Sequence, residues 1–298
     1  MALPMMALAC NGREKSTTAN DVAPAHLMSD NNKNDDECLT VLRHISREDI
    51  VQYQVTDPEL EFEGTPTFYA RASCDLTWPQ TIMGRTSDKL QKALMEQIIG
   101  EPNKFKTLDQ ALNHEFNAEN YILFNENAIK NVKHIKQIPE DAGMNQAYYE
   151  VQLTPMKIDK NLCVFHFTKD NYAGGAHGMF WNEYVNYDLV KDKVLQLTDL
   201  VTDTVKLRNV ATQALFRLEG VSNMQQLTEE NGFFIDTPTV PLPRQFYLDG
   251  VDIHFVYAPY EIASYARGDV DVEVEHYILE QEGIASSYLN ELFQRYMK

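Results

Sequence analysis

The stretch Phe246–Phe255, which reads FYLDGVDIHF, carries the strongest fold signal in this chain. Apolar and aromatic residues lie on both sides of Asp249-Gly250, and Asp-Gly is a dipeptide that favours the tight turn of a two-residue β-hairpin. The stretch therefore predicts two antiparallel strands. A further strand is predicted at Asp269–Tyr277, where acidic and apolar residues alternate, so that one face of the strand is expected to meet solvent.

The sequence N-terminal to this hairpin predicts strands, then helices, then further strands. Ser87 and Thr107 stand where helix N-caps are expected, and a further helix is predicted at Asp203–Gly220, because apolar residues recur at helical spacing in each run. Strands are predicted at residues 147–156, 161–168 and 180–190. Strands followed by helices and then by strands again are typical of an α+β fold. We predict two small α+β domains, 39–160 and 161–298, with antiparallel sheets and helices packed on one face.

The first residues resemble the end of a bacterial lipoprotein signal. Met1–Ala9 (MALPMMALA) is apolar, ends in small residues and directly precedes Cys10, which such a signal would make the lipid attachment site. It lacks the positively charged start of a signal peptide, so an accidental apolar run is the alternative. Residues 11–38 are polar and are predicted to form a disordered tether. We therefore expect 1–10 to be a signal remnant and the protein to be lipid-anchored in the bacterial cell envelope, either periplasmic or at the cell surface.

The charge balance indicates the kind of partner. The chain has 44 acidic and 26 basic residues and a formal net charge of −18. Such a charge argues against nucleic acid, since proteins bind it largely by neutralising phosphates with Lys and Arg. It favours a cationic partner, because complementary fields speed encounter and disfavour wrong partners. The alternative is that the charge serves solubility alone.

The sequence contains none of the common catalytic or metal-binding motifs. The four cysteines form no C-x-x-C pair, and Cys74 with Cys163 is interpreted either as a disulfide or as two buried free thiols. There is no nucleophile elbow, phosphate-binding loop, H-E-x-x-H helix or dinucleotide fingerprint. No catalytic residue, metal site or cofactor is therefore expected.

The run Gly174-Gly175-Ala176-His177-Gly178 is the segment most suited to binding. Its glycines could bring backbone N–H groups close to an anion, and His177 could act as a base or a ligand. The alternative is structural: glycines permit a tight loop between two strands, and His177 satisfies a local hydrogen bond.

Four blocks in the second half of the chain resemble one domain family of bacterial envelope proteins. The blocks are Gly174–Gly178, Asn186-Tyr187-Asp188, Leu197-Thr198-Asp199-Leu200 and Pro259–Gly268. The family forms the extracellular part of a lysozyme-sensing anti-sigma factor and accompanies a polysaccharide deacetylase that acts on peptidoglycan. The resemblance covers Cys163–Leu279, and a preceding α+β domain, similar to Leu60–Lys157, is common in the family. This chain departs from the family at Lys191-Asp192-Lys193, where a Thr-Gly-Lys turn is usual, and at Ser264, where proline is usual.

The resemblance implies a non-catalytic binding protein. The chain lacks the zinc-binding His-x-x-x-His motif of the deacetylase and the transmembrane helix of the anti-sigma factor. The expected ligand is a lysozyme-like cationic protein or a peptidoglycan fragment. The alternatives are a structural or assembly lipoprotein with an envelope protein partner, and a hydrolase acting on peptidoglycan. The predicted ligand-binding residues are Gly174, Gly175, His177, Gly178, Asn186 and Asp188.

Overall fold

The computed structural model describes residues 15–21, 40–54, 67–101, 104–121, 146–172 and 177–298. These residues form an α+β fold built on two sheets, which confirms the predicted fold class. The first sheet has seven strands, β1 to β7, in chain order. They are β1 Lys15–Asp21, β2 Val41–Gln54, β3 Thr67–Thr81, β4 Gln146–Ile158, β5 Leu162–Tyr172, β6 Met179–Asp188 and β7 Lys193–Val194.

Two helices lie between β3 and β4 and cover one face of this sheet. They are α1, Asp88–Ile99, and α2, Leu108–Glu115, and a 3₁₀ turn follows at Ala118–Tyr121. The predicted caps are confirmed, because the Ser87 and Thr107 hydroxyls each accept a backbone N–H of the first helical turn. The crossover through these helices lets β3 and β4 pair in parallel, whereas the other neighbouring strands pair antiparallel.

The predicted hairpin is present and begins the second sheet. Strands β8, Gln245–Asp249, and β9, Asp252–Tyr257, pair around a turn in which Gly250 has φ 68°, a conformation that glycine adopts without strain. Strand β10, Val270–Val274, completes the sheet in the order β10-β9-β8. The remaining helices are α3 Leu197–Leu200, α4 Thr204–Glu219, α5 His276–Gln281 and α6 Ser287–Tyr296.

Two hydrophobic cores lie on opposite faces of the first sheet. The first core fills the space between this sheet and helices α1 and α2, and Phe165 and Phe167 of β5 point into it. The second core joins the other face of β5, through Leu162 and Val164, to α4, α6 and the second sheet. Further along that same face of β5 the side chains become polar, beginning at His166. The second core therefore covers one end of this face and leaves polar residues at the other end.

The structure differs from the predicted domain layout in two places. Strand β1 lies inside residues 11–38, so seven residues of the predicted tether form an edge strand in the structure. The predicted boundary between Lys160 and Asn161 falls in the turn between β4 and β5, which pair along most of their length. One sheet is thus shared by both predicted domains. Cys10 and the predicted signal remnant lie outside the described residues.

Cys74 and Cys163 are free thiols, as one of the two alternatives proposed. They lie on β3 and β5, and β4 separates these strands. Burial raises the pKa of Cys74 to about 12 despite the nearby Arg47, and burial also raises the pKa of Cys163. Among the described residues, no helix combines the length and apolarity needed to cross a membrane.

Candidate functional site

The structure does not gather the predicted ligand-binding residues into one surface. Gly174 and Gly175 lie outside the described residues, whereas His177 and Gly178 lead directly into β6. Asn186 and Asp188 stand at the far end of the same strand. Asn186 stands eight positions after Gly178, and at about 3.3 Å per residue the two lie roughly 26 Å apart. The prediction of a shared surface is therefore wrong for Asn186 and Asp188.

Asn186 joins the two sheets. Its side chain is 2% exposed. The amide Nδ2 donates to the carbonyl of Phe246 at 2.9 Å, and Oδ1 accepts from the N–H of Leu248 at 2.8 Å. These two bonds satisfy backbone groups of β8 where no neighbouring strand does so. Asn186 is thus a structural residue of the junction between β6 and β8.

Asp188 anchors the C-terminal helix α6. Its side chain is fully buried, and its oxygens accept the N–H groups of Val190 and Lys191 and the hydroxyl of Tyr288. The guanidinium of Arg295 adds a two-pronged ion pair. Burial would raise the pKa of Asp188, but the hydrogen bonds from these groups outweigh it and hold the pKa below its usual value.

His177 belongs to a partly exposed aromatic cluster, formed by His177, Phe180, Tyr260 and Tyr265, of which His177 and Tyr260 are exposed. The imidazole stacks on Tyr265 with ring centroids 4.0 Å apart, and the hydroxyl of Tyr260 lies 3.4 Å from Nε2. Phe180 meets Tyr265 edge to face at 5.7 Å. The cluster thus joins two of the sequence blocks, Gly174–Gly178 and Pro259–Gly268, that lie some eighty residues apart.

Tyr260 presents its ring to solvent from a strained backbone. Its φ is 68°, in the left-handed region that costs a non-glycine residue about 1–2 kcal/mol, and the residue is 53% exposed. Its N–H donates to the carbonyl of Ala263 at 2.9 Å, which closes the turn. The backbone strain at Tyr260 holds an aromatic ring in solvent and does not bury it in a core, and strained residues of this kind cluster at functional sites.

Gly178 connects the aromatic cluster to the polar face of the first sheet. A Cβ at this position would lie 2.8 Å from the carbonyl oxygen of Asn171, 3.1 Å from the Tyr148 hydroxyl and 3.3 Å from Oδ1 of Asp170. Only glycine fits without moving backbone. The last glycine of the motif is therefore required for packing against Tyr148 and Asp170.

A tyrosine pair and two carboxylates extend this surface across β4 and β5. Tyr148 stacks on Tyr172 with centroids 5.9 Å apart, and Glu150 lies opposite Asp170 in the antiparallel register. Burial, followed by the negative charge of Glu150, raises the pKa of Asp170. We call these four residues, together with the aromatic cluster, the aromatic–acidic surface. It places exposed rings beside carboxylates, an arrangement suited to cations.

A second polar group lies in the seam between the two sheets. Four rings form a ladder across it: His166, Tyr184, Tyr247 and His254, with neighbouring centroids 4.8, 5.0 and 4.4 Å apart. Asp271 accepts from the Tyr247 hydroxyl at 2.7 Å and lies 2.9 Å from Nδ1 of His254. Burial opposes the protonation of His254, but Asp271 outweighs it and raises the pKa of this imidazole.

Metal ligation has no candidate site in the part of the chain that the structure describes. No three His, Cys, Asp or Glu side chains are grouped there so as to hold an ion. The surface described above therefore offers rings, carboxylates and hydroxyls to a ligand.

These features define an α+β protein with a partly exposed aromatic and acidic surface. Residues 188–277 match the model of a family described as Protein of unknown function (DUF3298). The match includes Tyr260 and Tyr265 but not Tyr148, Asp170 or His177. No curated protein matches the chain.

Two solved structures described as members of the DUF3298 family are similar to this chain. A member from Bacteroides fragilis has 20% sequence identity and a TM-score of 0.61, and the alignment covers 82% of this chain and 96% of that one. A member from Pseudomonas aeruginosa has 15% identity and a TM-score of 0.48, with 82% and 95% covered. At 20% identity the first of these similarities shows the fold alone.

Proposed function

We propose that this chain is a non-catalytic, lipid-anchored binding protein of the bacterial cell envelope that holds a cationic protein on its aromatic–acidic surface. The observation that carries the proposal is that the exposed rings of His177 and Tyr260, packed with the half-buried Tyr265, lie beside Gly178, which packs against the Asp170 carboxylate. A chain with a net charge of −18 also attracts cationic proteins from a distance.

The resemblance to the ectodomain of a lysozyme-sensing anti-sigma factor supports a partner such as lysozyme. The aromatic rings favour a second candidate, a peptidoglycan fragment, because the exposed face of Tyr260 can stack on a sugar ring. The surroundings of His177 favour binding over hydrolysis. Its Nδ1 lies 2.8 Å from the carbonyl of Gly178 and its Nε2 lies 3.4 Å from the Tyr260 hydroxyl, so among the described residues neither nitrogen contacts a carboxylate, serine or cysteine.

The partner is tested by calorimetric titration of the protein with c-type lysozyme at low and at physiological salt. A cationic protein of similar size and charge serves as the control. The proposal predicts heat that survives physiological salt and that the control does not reproduce. Heat that disappears with salt, or that the control also produces, would reduce the interaction to charge attraction and contradict the proposal.

The envelope location is tested separately, by labelling cells that express the protein with a fatty-acid analogue. The proposal predicts a labelled protein in the membrane fraction and loss of the label in the variant Cys10→Ser. Equal labelling of the two proteins, or none in either, would rule out Cys10 as an anchor. Turnover of peptidoglycan by the purified protein, abolished in His177→Ala, would instead favour the hydrolase alternative.

A further inference from the structure

We infer that Asp170, together with the stacked Tyr148 and Tyr172, receives an arginine side chain of the partner protein. The inference rests on the proposed function and names the chemical group that this surface recognises. A pattern of one tyrosine and one carboxylate occurs on each of two neighbouring strands, β4 and β5.

The first copy of the pattern already holds an arginine of this chain. On β4, Tyr148 and Glu150 are two residues apart and therefore share one face of the sheet. Arg71 of β3 lies opposite Tyr148, with its guanidinium carbon 5.7 Å from the ring centroid, and it forms an ion pair with Glu150. One guanidinium thus contacts an aromatic face and a carboxylate together.

The second copy lies on β5, directly beside the first. The register pairs Tyr172 with Tyr148 and Asp170 with Glu150, so tyrosine and carboxylate again stand two residues apart on the same face. Its carboxylate has a hydrogen bond from the Tyr148 hydroxyl, yet no Lys, Arg or His among the described residues forms an ion pair with it. Among the described residues Arg71 acts on Asp170 through its charge, but its guanidinium pairs with Glu150, which leaves the Asp170 carboxylate able to accept a cation of another molecule.

The residues around Asp170 are suited to binding an arginine side chain. On the β6 side it lies opposite Phe180, which packs on Tyr265 of the aromatic cluster. Burial and the charge of Glu150 both disfavour the ionised carboxylate, and an incoming guanidinium would relieve this cost. Arginine fits better than lysine, because its flat, forked group can stack on rings and bond a carboxylate at once.

The test compares hexa-arginine with hexa-lysine as probes of the full chain. Wild-type protein is expected to bind hexa-arginine more tightly than hexa-lysine. The variant Asp170→Asn is expected to bind hexa-arginine roughly tenfold or more weakly than wild type and to lose the preference for arginine, because one charge-assisted hydrogen bond is lost. Asp75→Asn is the matched control, because Asp75 lies on the same sheet face and its loss changes the net charge equally. Thermal unfolding of each variant confirms that it is folded.

The outcomes separate this inference from the proposed function. An unchanged arginine preference in Asp170→Asn, or an equal loss in Asp75→Asn, would overturn the arginine site. If lysozyme binding nevertheless falls in Tyr260→Ala with Tyr265→Ala, the binding function stands without it. If wild-type protein binds neither peptide nor lysozyme, both proposals fail.

Discussion

Replacing Asp188 tests its structural role as the residue that anchors helix α6 to the first sheet. The substitution Asp188→Ala leaves the Arg295 guanidinium, which is 15% exposed, without its carboxylate, and it removes the acceptor of two backbone N–H groups and the Tyr288 hydroxyl. Removing one member of a buried ion pair costs about 3–5 kcal/mol. We therefore expect helix α6 to lose its main polar attachment to the first sheet.

The expected effect is large enough to measure by thermal unfolding. Each kcal/mol shifts the Tm of a large domain by about 2–4 °C, so Asp188→Ala is expected to lower it by roughly 6–20 °C. Arg295→Met, and the double variant, complete a mutant cycle that isolates the coupling between the two residues. The contribution of Asp188 should persist above about pH 4 and be lost as pH falls through its lowered pKa.

A Tm for Asp188→Ala within about 1 °C of wild type would refute this assignment. So would a variant of normal stability that no longer binds lysozyme, because that result would restore the predicted role of Asp188 in ligand binding. Additive effects of Asp188→Ala and Arg295→Met would show that the ion pair itself contributes little.

Three further predictions concern packing, pH and thiol reactivity. Gly178→Ala should cost about 1–3 kcal/mol in denaturant unfolding, because its methyl group would overlap backbone; an unchanged midpoint would contradict the packing. The raised pKa of His254 predicts a contribution to stability that is complete below about pH 6.5 and is lost as pH rises through the pKa of His254 in the folded protein. The variant Asp271→Asn should abolish this pH dependence of stability. If the pH dependence persists in the variant, the Asp271–His254 pair is not its source. Cys74 and Cys163 should resist a thiol reagent in the native protein at pH 8 and react on unfolding, whereas rapid native labelling would contradict their burial.

The parts of the fold that the sequence predicts correctly are those set by local chemistry. The Asp249-Gly250 turn and the caps at Ser87 and Thr107 depend on neighbours within a few residues, and each is found where predicted. The role of Asp188 depends on Arg295, more than a hundred residues away. The sequence around Asp188 does not show that a distant helix buries it. A strand with the pattern Asn-x-Asp therefore has the same sequence pattern whether its side chains bind a ligand or a helix of the same chain.

The candidate site was only partly predictable for a related reason. His177 was found because glycines surround it, but the partners of His177 come from Pro259–Gly268 and from strand pairing. Tyr148 and Asp170 meet because β4 and β5 pair in one register, and a shift of one residue would place these two side chains on opposite faces of the sheet. Alternation along each strand indicates which residues share a face, but only the register shows which of them touch.

The most direct test of the binding account is the lysozyme affinity of the double variant Tyr260→Ala with Tyr265→Ala. Its matched control is Tyr277→Ala, which removes a tyrosine of equal exposure to Tyr260 outside the aromatic–acidic surface. At physiological salt the account predicts that the double variant keeps its fold and loses binding, while the control binds as wild type does. Wild-type affinity in the double variant would contradict the claim that this surface holds the partner.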